Sequence, residues 1–192
     1  MTFPPIVSTP HLENSLGLHI RRMDAADLDQ VREIDRLSFN IPWPAKAYRY
    51  ELEENPHSLQ WVAEINADQF PHPAKSGEAA KRIVGLIVVW LILDEAHIAT
   101  LAVHPDLRGH GIAQELLSVA LIESIRRGAI TATLEVRAGN KIAQKLYNRF
   151  GFQVVGERPR YYKDNQEDAL IMSTSKFEDS TISWLKNEGW RR

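Results

Sequence analysis

A chain of 192 residues, 44% of them apolar, has the size and composition of one soluble globular domain with a real core. Its net charge of −2 provides no global pull toward nucleic acid or an anionic membrane. Cysteine is absent, which excludes disulfides, thiolate metal sites and a cysteine nucleophile, and suits the cytoplasm.

Residues 1–17 hold three prolines and no clear period, and are expected to form a tail over the surface. The opening residues have neither a basic start nor an apolar run, unlike a signal peptide. His19-Ile20-Arg21-Arg22 reads as a short strand. Asp24 offers an N-cap, with Asp27 at the capping-box position, and Leu28, Val31, Ile34 and Leu37 are spaced as a helix. Two prolines in Ser38-Phe39-Asn40-Ile41-Pro42-Trp43-Pro44 end it. Large apolar side chains in that loop either tuck under it as core or form one wall of a groove, with Phe39, Pro42 and Trp43 facing a substrate. A second helix is expected over 45–54 and a strand over 59–65. Residues 66–81, with two prolines, a glycine and mixed charge, read as an exposed loop. The run Ile83 to Leu93 is too short to span a bilayer as a helix and reads as a buried strand.

A turn at Asp94-Glu95 leads to the strand Ile98-Ala99-Thr100-Leu101-Ala102-Val103, and then to His104-Pro105-Asp106-Leu107-Arg108-Gly109-His110-Gly111-Ile112-Ala113-Gln114. Beyond it, apolar residues at 113, 116, 117, 120, 121 and 125 mark one face of a helix, which Arg126-Arg127-Gly128 stops. A helix start exposes unpaired N–H groups and a positive dipole end, glycines let backbone approach a ligand, and Arg108 adds a fixed charge. Two readings stand on these residues: a glycine turn that only connects strand to helix, or a pyrophosphate cradle. Neither G-x-x-x-x-G-K-[S/T] nor G-x-G-x-x-G is present.

Ile130 to Val136 alternates, with Ile130, Ala132, Leu134 and Val136 on one face and Thr131, Thr133 and Glu135 on the other. Asn140 suits an N-cap for a helix whose inner stripe is Ile142, Ala143, Leu146, Tyr147 and Phe150, with Gly151 stopping it. Strands are expected near 152–158 and 168–174, with Arg158-Pro159-Arg160-Tyr161-Tyr162 between them. That segment is either a charged hairpin or, through Tyr161 and Tyr162, the other wall of a groove. The seven histidines show no paired metal spacing, and no catalytic metal is expected. Residues 176–192, with Trp184 and Trp190, either pack on the domain or contact a partner.

Arg108-x-x-Gly111-x-Ala113 after Leu-Ala-Val-His-Pro resembles the acetyl-CoA loop of the GNAT acetyltransferase superfamily, [Q/R]-x-x-G-x-[G/A]. Leu134-Glu135-Val136-Arg137-Ala138-Gly139-Asn140, then Leu146-Tyr147 and Phe150-Gly151-Phe152, resemble its RimI-type branch, the ribosomal-protein-alanine N-acetyltransferases. The resemblance covers about 18–175, which leaves 1–17 as an N-terminal tail and 176–192 as a C-terminal extension. It implies a single α/β (α+β) domain: a central, mostly antiparallel mixed sheet, splayed at the acetyl-CoA site, with helices on both faces. It also implies acetyl-CoA as cosubstrate, held by Leu101, Ala102, Val103, Arg108 to Gln114 (His110 among them), Asn140 and Tyr147. The expected acceptor is the N-terminal amine of a protein, a ribosomal protein among the candidates; the composition leaves the oligomeric state open. Gly109 stands where many relatives carry arginine, so one positive charge near the phosphates is absent.

Acyl transfer from a thioester to an amine needs a base for the amine, a donor for the developing oxyanion and a proton for the departing thiolate. Read from the alternation alone, Glu135 is a base or the solvent side of an edge strand; the resemblance implies the base. Tyr147 is a core aromatic or an acid; the resemblance places it beside the thioester sulfur. Its phenol, with a reference pKa of about 10, is a poor acid toward a thiolate of about 8.5, so it helps mainly by position and hydrogen bonding. If the cradle strand splays from its neighbour, backbone groups near Val103 are left free for the cosubstrate. The alternatives are a small-amine or lysine acetyltransferase and a non-catalytic acetyl-CoA-binding module.

Overall fold

A computed structural model describes residues 17–71, 80–187 and 189 of the chain. The tail expected over 1–17 therefore lies outside the described residues except at Gly17, as do residues 72–79 of the expected loop and Trp190. Strands are β1 (His19–Arg22), β2 (Ser58–Asn66), β3 (Lys81–Ile92), β4 (Glu95–Val103), β5 (Thr131–Arg137), β6 (Gln153–Tyr162) and β7 (Glu167–Ser173). Helices are α1 (Leu28–Ser38), α2 (Ala47–Glu53), α3 (Ile112–Arg126), α4 (Lys141–Arg149) and α5 (Thr181–Lys186). The strands form one sheet in the order β1-β2-β3-β4-β5-β7-β6. Every neighbouring pair is antiparallel except β4–β5.

Side-chain alternation along the strands divides the core between the two faces. One face packs α1 and α2 through Leu28, Val31, Ile34 and Tyr48 onto Val62, Leu86 and Val88. The other packs α3, α4 and α5 onto Trp61, Ile87, Val89, Ala132 and Leu134. The expected capping box is present: the Asp24 side chain accepts from Ala26, and that of Asp27 from Asp24, around a short turn that runs into α1.

The parallel β4–β5 pairing lasts only from Glu95↔Thr131 to Ile98↔Leu134. Past that point both strands continue, but apart. The cause lies on β4's other edge, where Val88 pairs Thr100 and Val89 pairs Ile98, so Ala99 is an extra residue. Such a bulge bends its strand and re-aims the residues beyond it. β5 stays anchored on its far side by β7, with Glu135 opposite Ile171.

Four expectations need correction. The helix after the glycine turn is buried on more than one face, because α5 covers its outer side: Ser118 Oγ donates to the Leu185 carbonyl at 3.4 Å, and Leu185 joins the main core. Ile142, expected on the inner stripe of α4, is 85% exposed. Ile130 precedes β5 and is exposed, because its N–H turns to the Asp94 carbonyl. Residues 158–162 are not a hairpin; they extend β6 with a register shift, and the turn lies at 163–166.

Candidate active site

The turn leaving β4 is a single 3-10 turn, Pro105–Leu107, followed by Gly109 and Gly111 at φ +83° and +84°. Nothing lies within 4 Å of where a Cβ would stand on either residue. Backbone conformation therefore demands glycine here, and the space above stays open. Gly111 is the N-cap of α3, whose first N–H groups have no intrahelical acceptor. These features fit a diphosphate.

A cavity of about 710 Å³ opens in front of this helix end. Leu101, Ala102, Val103, Arg108, Gly109, Gly111, Ile112, Ala113, Gln114, Asn140 and Tyr147 all line it. His110 does not; its Nδ1 turns back to the Leu107 and Arg108 carbonyls at 3.2 and 3.1 Å. Arg108 donates to the Val103 carbonyl at 3.2 Å and to the Ser38 hydroxyl at 3.3 Å, so it bridges the free end of β4 and the end of α1. Asn140 caps α4 through the Ala143 N–H at 3.1 Å. Lys145 and Arg149 line the opposite wall and supply positive charge that Gly109 does not. Their spacing of four on α4 was readable, but not the cavity they face.

A second cavity of about 770 Å³ lies on the α1–α2 side of the split. It shares Ser38, Phe39, Leu101, Asn140, Ala143 and Tyr147 with the first, so the two meet where β4 and β5 part. Phe39, Trp43, Tyr161 and Tyr162 line it. Pro42 does not, and Ile41 and Pro44 take its place. The loop is held from beneath by buried Asp35, which accepts from Tyr48 Oη and the Trp43 N–H, both at 2.7 Å. From above, Asn40 Nδ2 donates to Asp164 at 2.8 Å, and Asp164 accepts from Arg137 at 2.9 Å. Burial opposes the Arg137 charge, but Asp164 and Glu167 outweigh it and raise its pKa.

Glu135 and Tyr147 both line this second cavity. Glu135 stands one residue past the last β4–β5 pair, 15% exposed. One carboxylate oxygen lies 3.4 Å from His97 Nε2, and the other 3.2 Å from Arg158 Nη2. Tyr147 is buried, which pushes its phenol well above the ordinary value, with Tyr162 nearby adding to the effect. Burial also pushes Tyr162 up to about 12, although Arg137 lies over its ring at 3.8 Å and opposes the shift. Sequence reading missed His97, Trp90 and Arg137. Alternation on β4 places His97 opposite the buried Ala96 and Ile98, but only strand register brings it to Glu135.

Residues 28–152 match the model of the acetyltransferase (GNAT) family. A Bacillus subtilis (strain 168) relative is 37% identical over 153 residues, which is 80% of this chain and 92% of that protein; its name provisionally assigns it ribosomal protein bS18-alanine N-acetylation. The crystal structure of the ribosomal-protein-S18-alanine N-acetyltransferase from Escherichia coli superposes with a TM-score of 0.68 at 27% identity, covering 84% of this chain and 97% of that one. A chain of the NatC complex bound to Gag peptide and CoA superposes with a TM-score of 0.71 at 26% identity, covering 83% and 99%.

Proposed function

The chain belongs to the GNAT acetyltransferase family, as an acetyl-CoA-dependent N-acetyltransferase, and from that premise we propose that it acetylates the N-terminal α-amine of a protein, a ribosomal protein such as bS18 being the first candidate. The observation that carries this reading is the pair of cavities meeting at the β4–β5 split, with Glu135 and Tyr147 both facing the second. That cavity is walled by a proline-rich loop on one side and β6 on the other, a groove with room for several residues of extended peptide. We assign the enzyme to the cytoplasm, where a cysteine-free chain is suited.

Acetyl-CoA, when bound, supplies an acetyl group already activated as a thioester. The N-terminal N–H groups of α3 take the diphosphate charge, with Lys145 and Arg149 across from them. The free edge of β4 from Ala99 to Val103 offers backbone groups to the pantetheine arm, apart from the Val103 carbonyl, which Arg108 engages. Glu135 takes a proton from the acceptor ammonium, directly or through one water. An α-amine has a reference pKa of about 7.7–8.0 against about 10.4 for lysine, so this weak base suits a chain terminus better than a side chain. Tyr147, held protonated by burial, donates a hydrogen bond to the departing sulfur and acts by position more than by acidity.

The test is free-CoA release with three acceptors: a peptide beginning with Ala, its N-blocked form carrying an internal lysine, and spermidine. Turnover confined to the free-terminus peptide is expected. Turnover confined to lysine or spermidine would move the acceptor to the other amine classes. Binding of acetyl-CoA with no transfer to any of them would leave a non-catalytic binding module. Glu135→Gln should lower kcat by about a hundredfold or more while leaving acetyl-CoA binding within twofold. Equal loss of both would make Glu135 structural.

A further inference from the structure

His97 is used by neither the fold's core nor the acyl-transfer chemistry, yet it stands beside the reacting carboxylate. It lies opposite Thr133 across the β4–β5 pairing, on the face that carries Glu135 two residues on. Its side chain is 19% exposed and lines the acceptor cavity. Its ring stacks on Trp90, its register partner across β3–β4, at 5.5 Å between centroids and 20° between planes. Trp90 is fixed in turn: its Nε1 donates to Glu51 at 2.8 Å, and its other neighbour is Trp43 at 6.4 Å. Trp43 stacks on Tyr48 at 5.0 Å. A column of four rings, rooted at buried Asp35, thus ends in an imidazole whose Nε2 lies 3.4 Å from a Glu135 oxygen.

We propose that His97 acts through Glu135 to complete the base: as the neutral imidazole with Nε2 unprotonated, it receives the proton that Glu135 takes from the acceptor. This rests on the reading of Glu135 as general base. The acceptor N–H bond breaks as an O–H bond forms on Glu135; that O–H then breaks as an N–H bond forms at His97 Nε2. Glu135 is restored as a carboxylate, and the imidazolium loses its proton to water in the open groove. No electron changes hands and no further reactant is needed.

The chemistry supplies the reason for a second carrier. In water a glutamate carboxylate has a reference pKa of about 4.3, an imidazole about 6.5 and an α-ammonium about 7.7–8.0. A proton left on the carboxylate is therefore held poorly, and an imidazole is the better-matched resting place near neutral pH. Arg158, on the other oxygen, cannot take a proton and leaves His97 as the outlet. The charged and titratable groups facing His97 are Glu95 on its own strand, Glu135 and Arg137 on β5, Arg158, Tyr161 and Tyr162 on β6, Tyr147 on α4, and Glu51 beyond Trp90 on α2.

The test compares wild type with His97→Phe, His97→Gln and Glu135→Gln. Phenylalanine keeps a ring against Trp90 but carries no proton; glutamine keeps a polar contact but does not titrate. Both are expected to fold, to keep KM for acetyl-CoA within twofold and to lose about 10- to 100-fold in kcat. The rise of kcat between pH 5 and 8 should shift by more than about one unit in both. A second readout needs no substrate. The His97 ring resonances, followed by NMR in the free enzyme, should move in Glu135→Gln, because the ring loses the carboxylate that lies 3.4 Å from its Nε2. His97→Phe with wild-type kcat and a superimposable pH profile, beside a silent Glu135→Gln, would overturn the relay alone. A Glu135→Gln variant at the wild-type rate would overturn the base and the relay together.

Discussion

The base of the aromatic column gives the sharpest link between stability and function. Asp35 is 1% exposed and accepts from Tyr48 Oη and the Trp43 N–H, each at 2.7 Å. Burial pushes its carboxyl above the ordinary range, and the two donors hold it part of the way down. Tyr48→Phe deletes one donor and adds no bulk. A hydrogen bond to a charged group is worth about 1.5–3 kcal/mol, and for a chain of this size each kcal/mol moves Tm by about 2–4 °C. The expected drop at pH 7.5 is therefore roughly 3–12 °C. Its dependence on pH is set by the form of Asp35 that the donor favours. Removing the donor raises the folded-state pKa of Asp35 further above the unfolded value, and an acid raised on folding loses stability as pH climbs through that pKa. The penalty should be smaller at pH 4.5, where the protonated acid needs the donor less. Thermal melts at the two pH values measure this directly. Because Asp35 also holds the Trp43 N–H, KM for the acceptor peptide should rise while acetyl-CoA affinity stays within twofold. An equal Tm shift at both pH values, or one below about 1 °C, would refute the argument.

Three further outcomes are expected. Gly85→Ala on β3 would place a Cβ 2.9 Å from Leu116 Cδ1, 3.1 Å from Ile112 Cγ2 and 3.2 Å from the Ala102 carbonyl. It should cost about 1–3 kcal/mol in urea unfolding and weaken acetyl-CoA binding by calorimetry, since the N-terminal turn of α3 must lift. Leu185→Ala, in the segment beyond the family match, should cost about 2–5 kcal/mol with kcat little changed, because that side chain is buried against α3 and lines neither cavity. Tyr147→Phe should fold normally and lose kcat; a rate near that of wild type would remove its hydroxyl from the chemistry.

Local patterns carried most of the elements. The Asp24 and Asp27 capping pair, the alternation around Leu134 and the Asn140 cap each act within a few residues, so spacing reveals them. What spacing did not reveal depends on contacts distant in the chain. α3 carries a recognisable apolar stripe, but nothing near it announces that Leu185, 67 residues on, covers its other side. Ile142 keeps the spacing of an inner stripe and yet stays exposed, because α4 borders a cavity instead of packing fully onto the sheet. His110 sits inside the glycine motif, but carbonyls within its own turn capture its ring. The approach of His97 to Glu135 requires the β4–β5 register, and that of Gly85 to α3 requires the packing of a helix some thirty residues away.

One extra residue accounts for much of the site. Ala99 bulges from β4 just after Ile98, where pairing with β5 ends. On the near side of the bulge, β4 remains locked to β5 and sets His97 against Glu135 in a rigid register. On the far side, Leu101 to Val103 swing clear and leave an open edge that continues into the glycine turn and the N-terminus of α3. His97 therefore stands where β4 is paired on both edges, and Leu101 to Val103 stand where β4 is paired only with β3. Tyr147 reaches the division from α4 and lines both cavities. A fully paired β4–β5 ladder would close the passage between the cavities; a ladder lost altogether would leave Glu135 without its partner on β4. The short paired segment followed by a bulge satisfies both requirements, so the local geometry at Ala99 fixes where the two cavities meet.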